Sequence, residues 1–592
     1  MAVEQLITQH IDTWTSALRT RSTAGRGTSG KIDLYGIKKL RELILELAVR
    51  GKLVPQDPND EPASELLKRI AAEKAELMKQ GRIKKQKPLP EISEDEKPFA
   101  LPKGWEWTAL KNICLLENGD RSKNYPNKST LVESGVPFVN AGHLVNGGID
   151  ENEMTFIKNE HFNSLRSGKF HHGDILFCLR GSLGKSALVD NLSGAIASSL
   201  VIVRTLPLVN NEYVNLYFNT PVSYRYIKKY DNGTAQPNLA ATDLERFLVP
   251  LASLSEQKRI IAKINELMSL CDQLEQQSLT SLDVHQQLVE TLLATLTASQ
   301  NAEELAENWA RISQHFDTLF TTEASIDALK QTILQLAVMG KLVPQDPNDE
   351  PASELLKRIE QEKAQLVKEG KIKKQKPLPP ISEEEKPFEL PVGWEWCRFE
   401  DIVDIQSGIT KGRKLQGRKL VTVPYLSVAN VQRGYIDLSV VKTTEIPLEE
   451  MEKYKVYNSD LLITEGGDWD KVGRTAIWIE NDMSYMAHQN HVFKARKILP
   501  EQDVVWLSNF LNGPFAREYF SGSSKQTTNL ASINKTQLRG CLIAVPPKEE
   551  KERIVAKFND LLLISDTLKS RLQSAQQTQL HLADALTDAA LN

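Results

Sequence analysis

Apolar positions along this chain follow two periods that alternate in blocks. In PASELLKRIAAEKAELMKQGRIKK (62–85) they fall at Leu66, Leu67 and Ile70, just after Ser64 and Glu65. That spacing predicts a helix with one buried face, opening near Ser64 and stopping at Gly81. The following KQKPLPEISEDEKPFALPKGWEW is rich in proline, including Pro98 and Pro102, and predicts an extended linker. From GWEW onward, short runs rich in Val, Ile, Phe and Tyr alternate with Gly and Asn turns. GVPFVNAGHL, DILFCLRG and SSLVIVRTL, and later TVPYLSV, DLLITEGGD and HVFKARK, predict strands with tight turns. VNLYFNTPVSYRYIKKY and VVWLSNFLNGPFAREYF read as helical ends to these strand-rich blocks. The period then lengthens again. Ile260, Ile264, Leu267, Cys271 and Leu274 are spaced 4-3-4-3, as are Ile554, Phe558, Leu561, Ser565 and Leu568, with Leu572 continuing. These are heptad seams on long helices. A 40-residue helix would span about 60 Å and could hold two domains at a fixed separation.

The blocks occur twice. GKLVPQDPNDEPASELLKRI begins at Gly51 and again at Gly340. Residues 51–107 and 340–396 share 47 of 57 positions without a gap, through IKKQKPLP to LP-x-GWEW (Leu101–Trp107, Leu390–Trp396). Beyond GWEW the likeness falls to ordered fragments. VPFVNAGHLVNGGID faces VPYLSVANVQRGYID, HGDILFCLRGSLGKSALV faces NSDLLITEGGDWDKVGRTAIWI, and EQKRIIAKINEL faces EKERIVAKFNDL. ITQHIDTW (7–14) resembles ISQHFDTL (312–319), and RTRSTAGRGTSGK (19–31) lengthens the first copy. The halves run roughly over 1–297 and 305–592. The copies lie 289 residues apart before the variable segments and 294 after them, so these segments are nearly equal in length. Uniform drift after duplication would not leave so sharp a boundary. One fold reading two different targets would.

Length and composition narrow the class. At 592 residues the chain is too long for one core; 41% hydrophobic and 25% charged residues are ordinary for a globular protein. No apolar run is long enough to cross a bilayer, and MAVEQLITQHIDTWTSAL lacks a signal pattern, so a cytoplasmic location is expected. Five scattered cysteines suggest neither a zinc site nor a disulfide framework. A net charge of −4 argues against a wholesale basic coat, and the variable segments are near neutral: 14 basic against 13 acidic residues over 108–248, and 19 against 17 over 397–541. Nucleic-acid binding would therefore rest on a local face. KGRKLQGRK (Lys411–Lys419), NGDRSKNYPNK (118–128) and YRYIKKY (224–230) are the basic candidates.

Catalytic signatures are weak. Gly181–Ser186 ends in GKS without the spacing of a phosphate loop. Asn512-Gly-Pro-Phe515 has the wrong second residue for an adenine-methyltransferase tetrapeptide, and no cofactor loop accompanies it. His171-His172 lacks ligand partners at sensible spacing. The expectation is a chain with no catalytic site, no metal and no cofactor of its own.

Over essentially its full length the chain resembles the specificity subunit of Type I restriction–modification enzymes. The likeness is carried by the duplicated layout, the P-x-GWEW entries, GD-I-L…RG-x-x-GK-x-A (Gly173–Ala187) and SD-L-L…G…VGR-x-A (Ser459–Ala476). It extends to Q-x-N-L (Gln236–Leu239) with Q-x-x-NL (Gln526–Leu530), and to the exits VPLASLSEQKRIIAKI and VPPKEEKERIVAKF. In the second half ITEGG replaces the usual arginine-glycine, which puts a transfer of the Arg180 role to Glu465 in doubt. The resemblance implies an α+β fold: two α+β target recognition domains separated by conserved helices in an antiparallel coiled coil, with a pseudo-twofold repeat. The expected segments are 1–107 (helical region and linker), 108–248 (first recognition domain), 249–396 (central helix, second repeat and linker), 397–541 (second recognition domain) and 542–592 (final helix).

It further implies a non-catalytic, DNA-binding role. Each domain would read one half of a split, asymmetric DNA site, the helices would set the spacer, and the chain would serve both methylation and restriction. Implied partners are double-stranded DNA, two methyltransferase subunits carrying S-adenosylmethionine, and two motor–nuclease subunits using ATP and Mg. The target adenine would flip into the methyltransferase, not into this chain. Two identical partners explain two identical seats. Candidate DNA contacts are Arg121, Lys123, Asn140, His143, Arg180, Ser182, Lys185 and Gln236 in the first domain, and Lys411, Arg413, Lys414, Asn430, Arg433, Lys471, Arg474 and Gln526 in the second. Gly119, Gly181, Gly408 and Gly473 are read as turn formers, and Trp105, Trp107, Trp394 and Trp396 as core. The competing readings are a diverged methyltransferase or nuclease, and a protein scaffold with no DNA role.

Overall fold

The structure, a computed structural model, describes residues 3–21, 31–83, 89–145, 147–233, 236–410, 412, 415–467, 471–480, 485–523, 525–527 and 530–591. The chain forms two compact units: residues 1–281 with 574–592, and residues 282–573. The helices that matter below are α1 (Tyr35–Val49), α2 (Ala63–Lys79), α3 (Pro221–Tyr230), α4 (Leu254–Ala298), α5 (Glu323–Val338), α6 (Ala352–Lys368), α7 (Val504–Asn512), α8 (Pro514–Ser523) and α9 (Lys548–Leu591). The strands are β1 (Cys114–Asn118), β2 (Ile175–Cys178), β3 (Ser186–Leu188) and β4 (Leu200–Thr205), then β5 (Val403–Gln406), β6 (Leu461–Thr464), β7 (Thr475–Ile477) and β8 (Val492–Lys497).

Each unit carries the same antiparallel four-stranded sheet, in the order β1-β4-β2-β3 and β5-β8-β6-β7. A second sheet in each has a parallel pair, Val136–Val139 with Gly194–Ile196 and Leu420–Leu426 with Ala487–His488. Near-continuous apolar runs fill the centre of each sheet: β2 and β6 are buried along their whole length. The fold is α+β, as expected from the switch of periods.

The helical parts show why 51–107 and 340–396 are so alike. The helix after the repeated loop starts one residue earlier than Ser64, at Ala63, because Pro62 supplies the fixed φ and the Ala63 N–H bonds Gly104 O instead of a side-chain cap. It stops as expected at Gly81, whose φ of +67° needs no Cβ. Gly51 and Gly340 end α1 and α5 at φ +65° and +69°. A Cβ there would stand 3.0 and 2.8 Å from the Trp105 and Trp394 rings. Those indoles donate to Glu256 in α4 (2.9 Å) and Glu550 in α9 (3.0 Å). Burial raises both carboxyls above the usual range, and the indole N–H holds each one down. Asp60 and Asp349 of the repeated loop grip Arg259 and Arg553 through paired bonds, the shorter 2.6 Å in each case. The repeat is thus a clamp that fixes each long helix to the entrance of its strand-rich domain. Trp105, Trp107 and Trp394 are buried and Trp396 half-buried, so the tryptophans are core.

Inside each unit the long helices run in opposite senses. In the first, Arg41 of α1 bonds Asp272 and Glu275 of α4 (2.7 and 2.8 Å), while Tyr35 bonds Asp584 of α9 and Lys52 donates to Leu591 O, both at 2.7 Å. In the second, Lys330 of α5 pairs with Asp566 of α9, and Lys341 donates to Thr297 and Ser299 carbonyls at the end of α4 (3.0 and 2.9 Å). Arg41–Asp272 and Lys330–Asp566 are the same contact in the two repeats. Lys52 and Lys341 each place a cation where a helix C-terminus leaves its carbonyls unpaired. All five seam positions of α4 are buried; in α9 Ile554, Phe558 and Ser565 are, and Leu561, Leu568 and Leu572 are half-buried. The seams face a third helix, α1 or α5, a partner that heptad spacing does not reveal. Since α9 ends in the first unit, each unit is completed by the long helix of the other repeat. The linear halves near 297 and 305 therefore differ from the compact units.

Candidate nucleic-acid interface

Both units present one loop after β2 or β6, held the same way. The aspartate that opens the motif is buried in each: Asp174 accepts from Arg204 at 2.8 and 2.7 Å and from the His171 N–H, and Asp460 accepts from Arg496 at 2.8 and 2.7 Å and from the Tyr457 N–H. This bracket pins the start of the strand. Asp174→Asn and Asp460→Asn are each expected to lower stability by about 1–2 kcal/mol, because the buried carboxylate loses the charge that pairs with a half-exposed guanidinium; thermal melts of the purified variants check it.

Beyond the strand, Leu179 N–H bonds Ser199 O, Gly181 N–H bonds Pro237 O and Leu239 N–H bonds Leu179 O. Glu465 N–H likewise bonds His491 O and Ile533 N–H bonds Glu465 O, with Gly467 paired to Ala531. The loop thus lies against a second segment, 231–239 or 525–533. Gly184 and Gly473 close it at φ +83° and +69°, where a Cβ would strike Ile227 of α3 at 2.5 Å or Phe520 of α8 at 2.3 Å. Gly181 is also left-handed, whereas Gly119 and Gly408 are required by close approach, to Ala197 O at 3.0 Å and His488 O at 2.2 Å.

These bonds set the true equivalences. Arg180 corresponds to Gly466, and Leu179 to Glu465. The alignment of Gln236 with Gln526 does not survive: Leu239 matches Ile533, so Gln236 matches Leu530. Gln526 therefore lies four residues before the match of Gln236, on the outgoing strand Lys525–Thr527 instead of the returning limb.

The structure divides the candidate contacts. Arg180, Ser182, Lys185 and Gln236 are exposed together on the loop and its neighbour, and Arg180 Nε donates to Asn238 Oδ1 at 3.1 Å, spending one of five guanidinium N–H groups. Arg121 and Lys123 are exposed on a turn that follows the buried Asp120, whose carboxylate accepts from the Ser122 and Arg166 N–H groups at 2.6 Å.

Asn140 and His143 are committed to the turn they occupy. Asn140 Oδ1 accepts from Gly142 N–H, while His143 is buried with Nδ1 on Asn140 N–H and Nε2 on Glu153 O. Asn430 takes the place of His143. Its carbonyl accepts twice from Ser427, and its amide donates to Asp437 O and Val440 O, both at 2.9 Å. Burial and hydrogen bonding make His143 and Asn430 parts of the frame, whereas the half-buried Asn140 uses only its Oδ1 there among the described residues. Arg474 is buried against Gln432 Oε1 (2.6 Å) and Val428 O. Arg433 is half-buried, 3.4 Å from Asn512 Oδ1, and Lys471 is half-buried at the loop's far end. Lys411, Arg413 and Lys414 lie outside the described residues, as does the Gln526 side chain.

Other motifs also find structural roles. Asn512, of the methyltransferase-like tetrapeptide, ties the end of α7 to β7 through the Thr475 N–H and C=O (3.1 and 2.8 Å). The five cysteines are buried and unpaired, and among the described residues no group of three or more His, Cys, Asp or Glu could hold a metal ion. None of the helices described is long and apolar enough to cross a membrane. Sequence reading missed the bond of Asn238 to Arg180 and that of His491 to Glu465. Asn238 carried a signal in its Q-x-N-L motif, whereas the pairing of Glu465 with His491 depends on strands 26 residues apart.

Known proteins share this architecture. The model of the Type I restriction modification DNA specificity domain matches residues 102–283 and again 391–577. The specificity subunits of the Escherichia coli Type I restriction enzymes EcoEI and EcoAI are 50% and 51% identical to this chain, over 100% of each chain in both comparisons. That of EcoKI, from strain K12, is 20% identical over 80% of this chain and 86% of its own length. With the family domain present twice and half of all residues shared end to end with two such subunits, this chain belongs to the family of Type I restriction–modification specificity subunits, which recognise DNA and do not catalyse.

Proposed function

We propose that the chain reads a two-part, asymmetric DNA sequence, one half with each strand-rich domain (108–248 and 397–541), and seats two methyltransferase subunits. The observation that carries this is the loop after β2 and β6: identical brackets, identical backbone bonds, different side chains. A shared frame with exchanged tips is what two different half-sites require, since backbone contacts position a protein and side chains on base edges select sequence. In the first domain Arg180, Ser182, Lys185 and Gln236 form the reading set, with Arg121 and Lys123 for phosphates. In the second, Lys471, Gln526 and the basic run from Lys411 to Lys414 take those parts.

The long helices supply the seats and set the spacer. Val284 and Leu288 on α4, and Leu563 and Ile564 on α9, are 57%, 50%, 69% and 57% exposed. Apolar side chains so placed suit a partner protein. Methyltransferase subunits would bring S-adenosylmethionine, and two motor–nuclease subunits would bring ATP and Mg chemistry for restriction. A methylation map of a methylation-free host expressing this chain with its modification subunit tests the reading. A split motif with a fixed gap, dependent on this chain, is the expected result; no new methylation from an assembled complex would overturn it.

A further inference from the structure

The second domain departs from the first at one place on the shared loop, and the departure is chemical. Where the first domain has the buried Leu179 next to Ser199, the second has Glu465 next to His491. The His491 ring lies 2.5 Å from Glu465 Oε2 through Nδ1, and the two side chains are 56% and 28% exposed. Next along the chain, the exposed cation Arg180 is replaced by Gly466, which has no side chain to compete. The same loop therefore offers a fork of N–H donors in one domain and a carboxylate in the other. Glu465 Oε1 has no hydrogen-bond partner among the described residues. The backbone of Glu465 is fixed on both sides, by His491 O and by Ile533 N–H, so its side chain is aimed before any ligand arrives.

A carboxylate is a costly thing to bring to DNA unless it meets a donor, because phosphates repel it and base acceptors give it nothing. In the major groove the donors are the amino groups of cytosine and adenine. Adenine presents N7 beside its amino group, an acceptor that a carboxylate opposes; cytosine presents N4 without one. We propose that Glu465, oriented by His491, is a specificity determinant of the second domain that selects a cytosine in its half-site. This rests on the reading above that the domain contacts DNA bases. His491 is a positioning residue: its N–H holds one carboxylate oxygen so that the other faces the base.

The test is a methylation map of the complete enzyme carrying wild-type chain, Glu465→Gln, Glu465→Ala, His491→Asn or His491→Phe. A good base contact is worth about 1–3 kcal/mol, so discrimination at one C·G pair of one half-site should fall roughly tenfold or more in both Glu465 variants. Gln is expected to shift preference toward adenine at that pair. His491→Asn keeps an N–H for the carboxylate and should preserve the preference, whereas His491→Phe should relax the same single position. The other half-site stays unchanged throughout. Glu465 variants that methylate the wild-type motif with undiminished stringency would overturn the proposal while leaving the two-half reading intact. A wild-type enzyme that methylates no split motif would overturn that reading itself. Thermal melts confirm that each variant is folded, so a lost contact is separated from a lost domain.

Discussion

Exchanging residues 108–248 for the matching segment of a relative with another target is expected to change one half of the methylated sequence and leave the other half intact. The structure makes the exchange clean. Strand Glu106–Ala109 pairs antiparallel with Leu248–Leu251, Trp107 facing Pro250 and Ala109 facing Leu248. Both cut points therefore lie on neighbouring strands, and the transplanted domain leaves and re-enters the frame at one place. Trp105 and Glu256 lie outside the segment, so the clamp on α4 is untouched. Hydrogen bonds that cross the cut include those of the Tyr213 hydroxyl to Pro250 O (2.6 Å), Asn210 N–H to Gln257, Lys74 to Lys111 O, Arg225 to Glu46 and the Tyr226 hydroxyl to Glu96 O. The second unit makes the first of these bonds with a different residue, Trp506 to Ala544 O at 3.0 Å, so the frame accepts alternative anchors. Each mismatched base pair costs about 1–3 kcal/mol, and a half-site of several pairs swings by orders of magnitude. Sequencing for N6-methyladenine reads the result, and a change in both halves would refute independent reading.

How much of this was legible depended on what each residue's role requires. The repeat, its sharp end at GWEW, the long helices and the buried tryptophans follow from local pattern, because burial imposes a period and tight turns demand glycine. Polar residues in turns were not separable by type. Asn140, His143 and Asn430 have base-reading chemistry, yet every such group can equally satisfy the backbone beside it, and only the fold shows that they do. The Gln236–Gln526 pairing failed because similar letters recur at places that the backbone bonds do not match: Gln236 corresponds to Leu530, four residues beyond Gln526. The α4 and α9 seams were visible, but the helix they face comes from elsewhere in the chain, and heptad spacing names no partner. Glu465 looked like a lost arginine; it stands in the neighbouring position, and its meaning depends on His491 across the sheet.

A second contrast between the units predicts an acid-sensitive second domain. His488 occupies the strand position of Ile196: it pairs with Leu426 as Ile196 pairs with Val139. It is fully buried. Its Nδ1–H donates to Val492 O at 2.7 Å, and Nε2 has no hydrogen-bond partner among the described residues. A proton on Nε2 would place a charge in the core with nothing to receive it, close to Lys494 and Arg496. Burial accordingly pulls the ring down from its ordinary 6.5 to about 3, with the nearby cations adding to the effect. A depressed histidine stabilises the fold fully above its unfolded value and loses that contribution as pH falls from about 6.5 toward the folded value. Between pH 7.5 and pH 5 the loss is about 2 kcal/mol, since each pH unit below 6.5 costs about 1.4 kcal/mol. His488→Ile installs the first unit's own solution and removes the titration. The gap between the wild-type and His488→Ile melting curves should widen by that amount on acidification. Parallel curves would mean that the ring reaches water or a partner when charged. With Ile196 at the equivalent place, the first unit carries no such term at this position, so the acid-dependent gap belongs to the second unit.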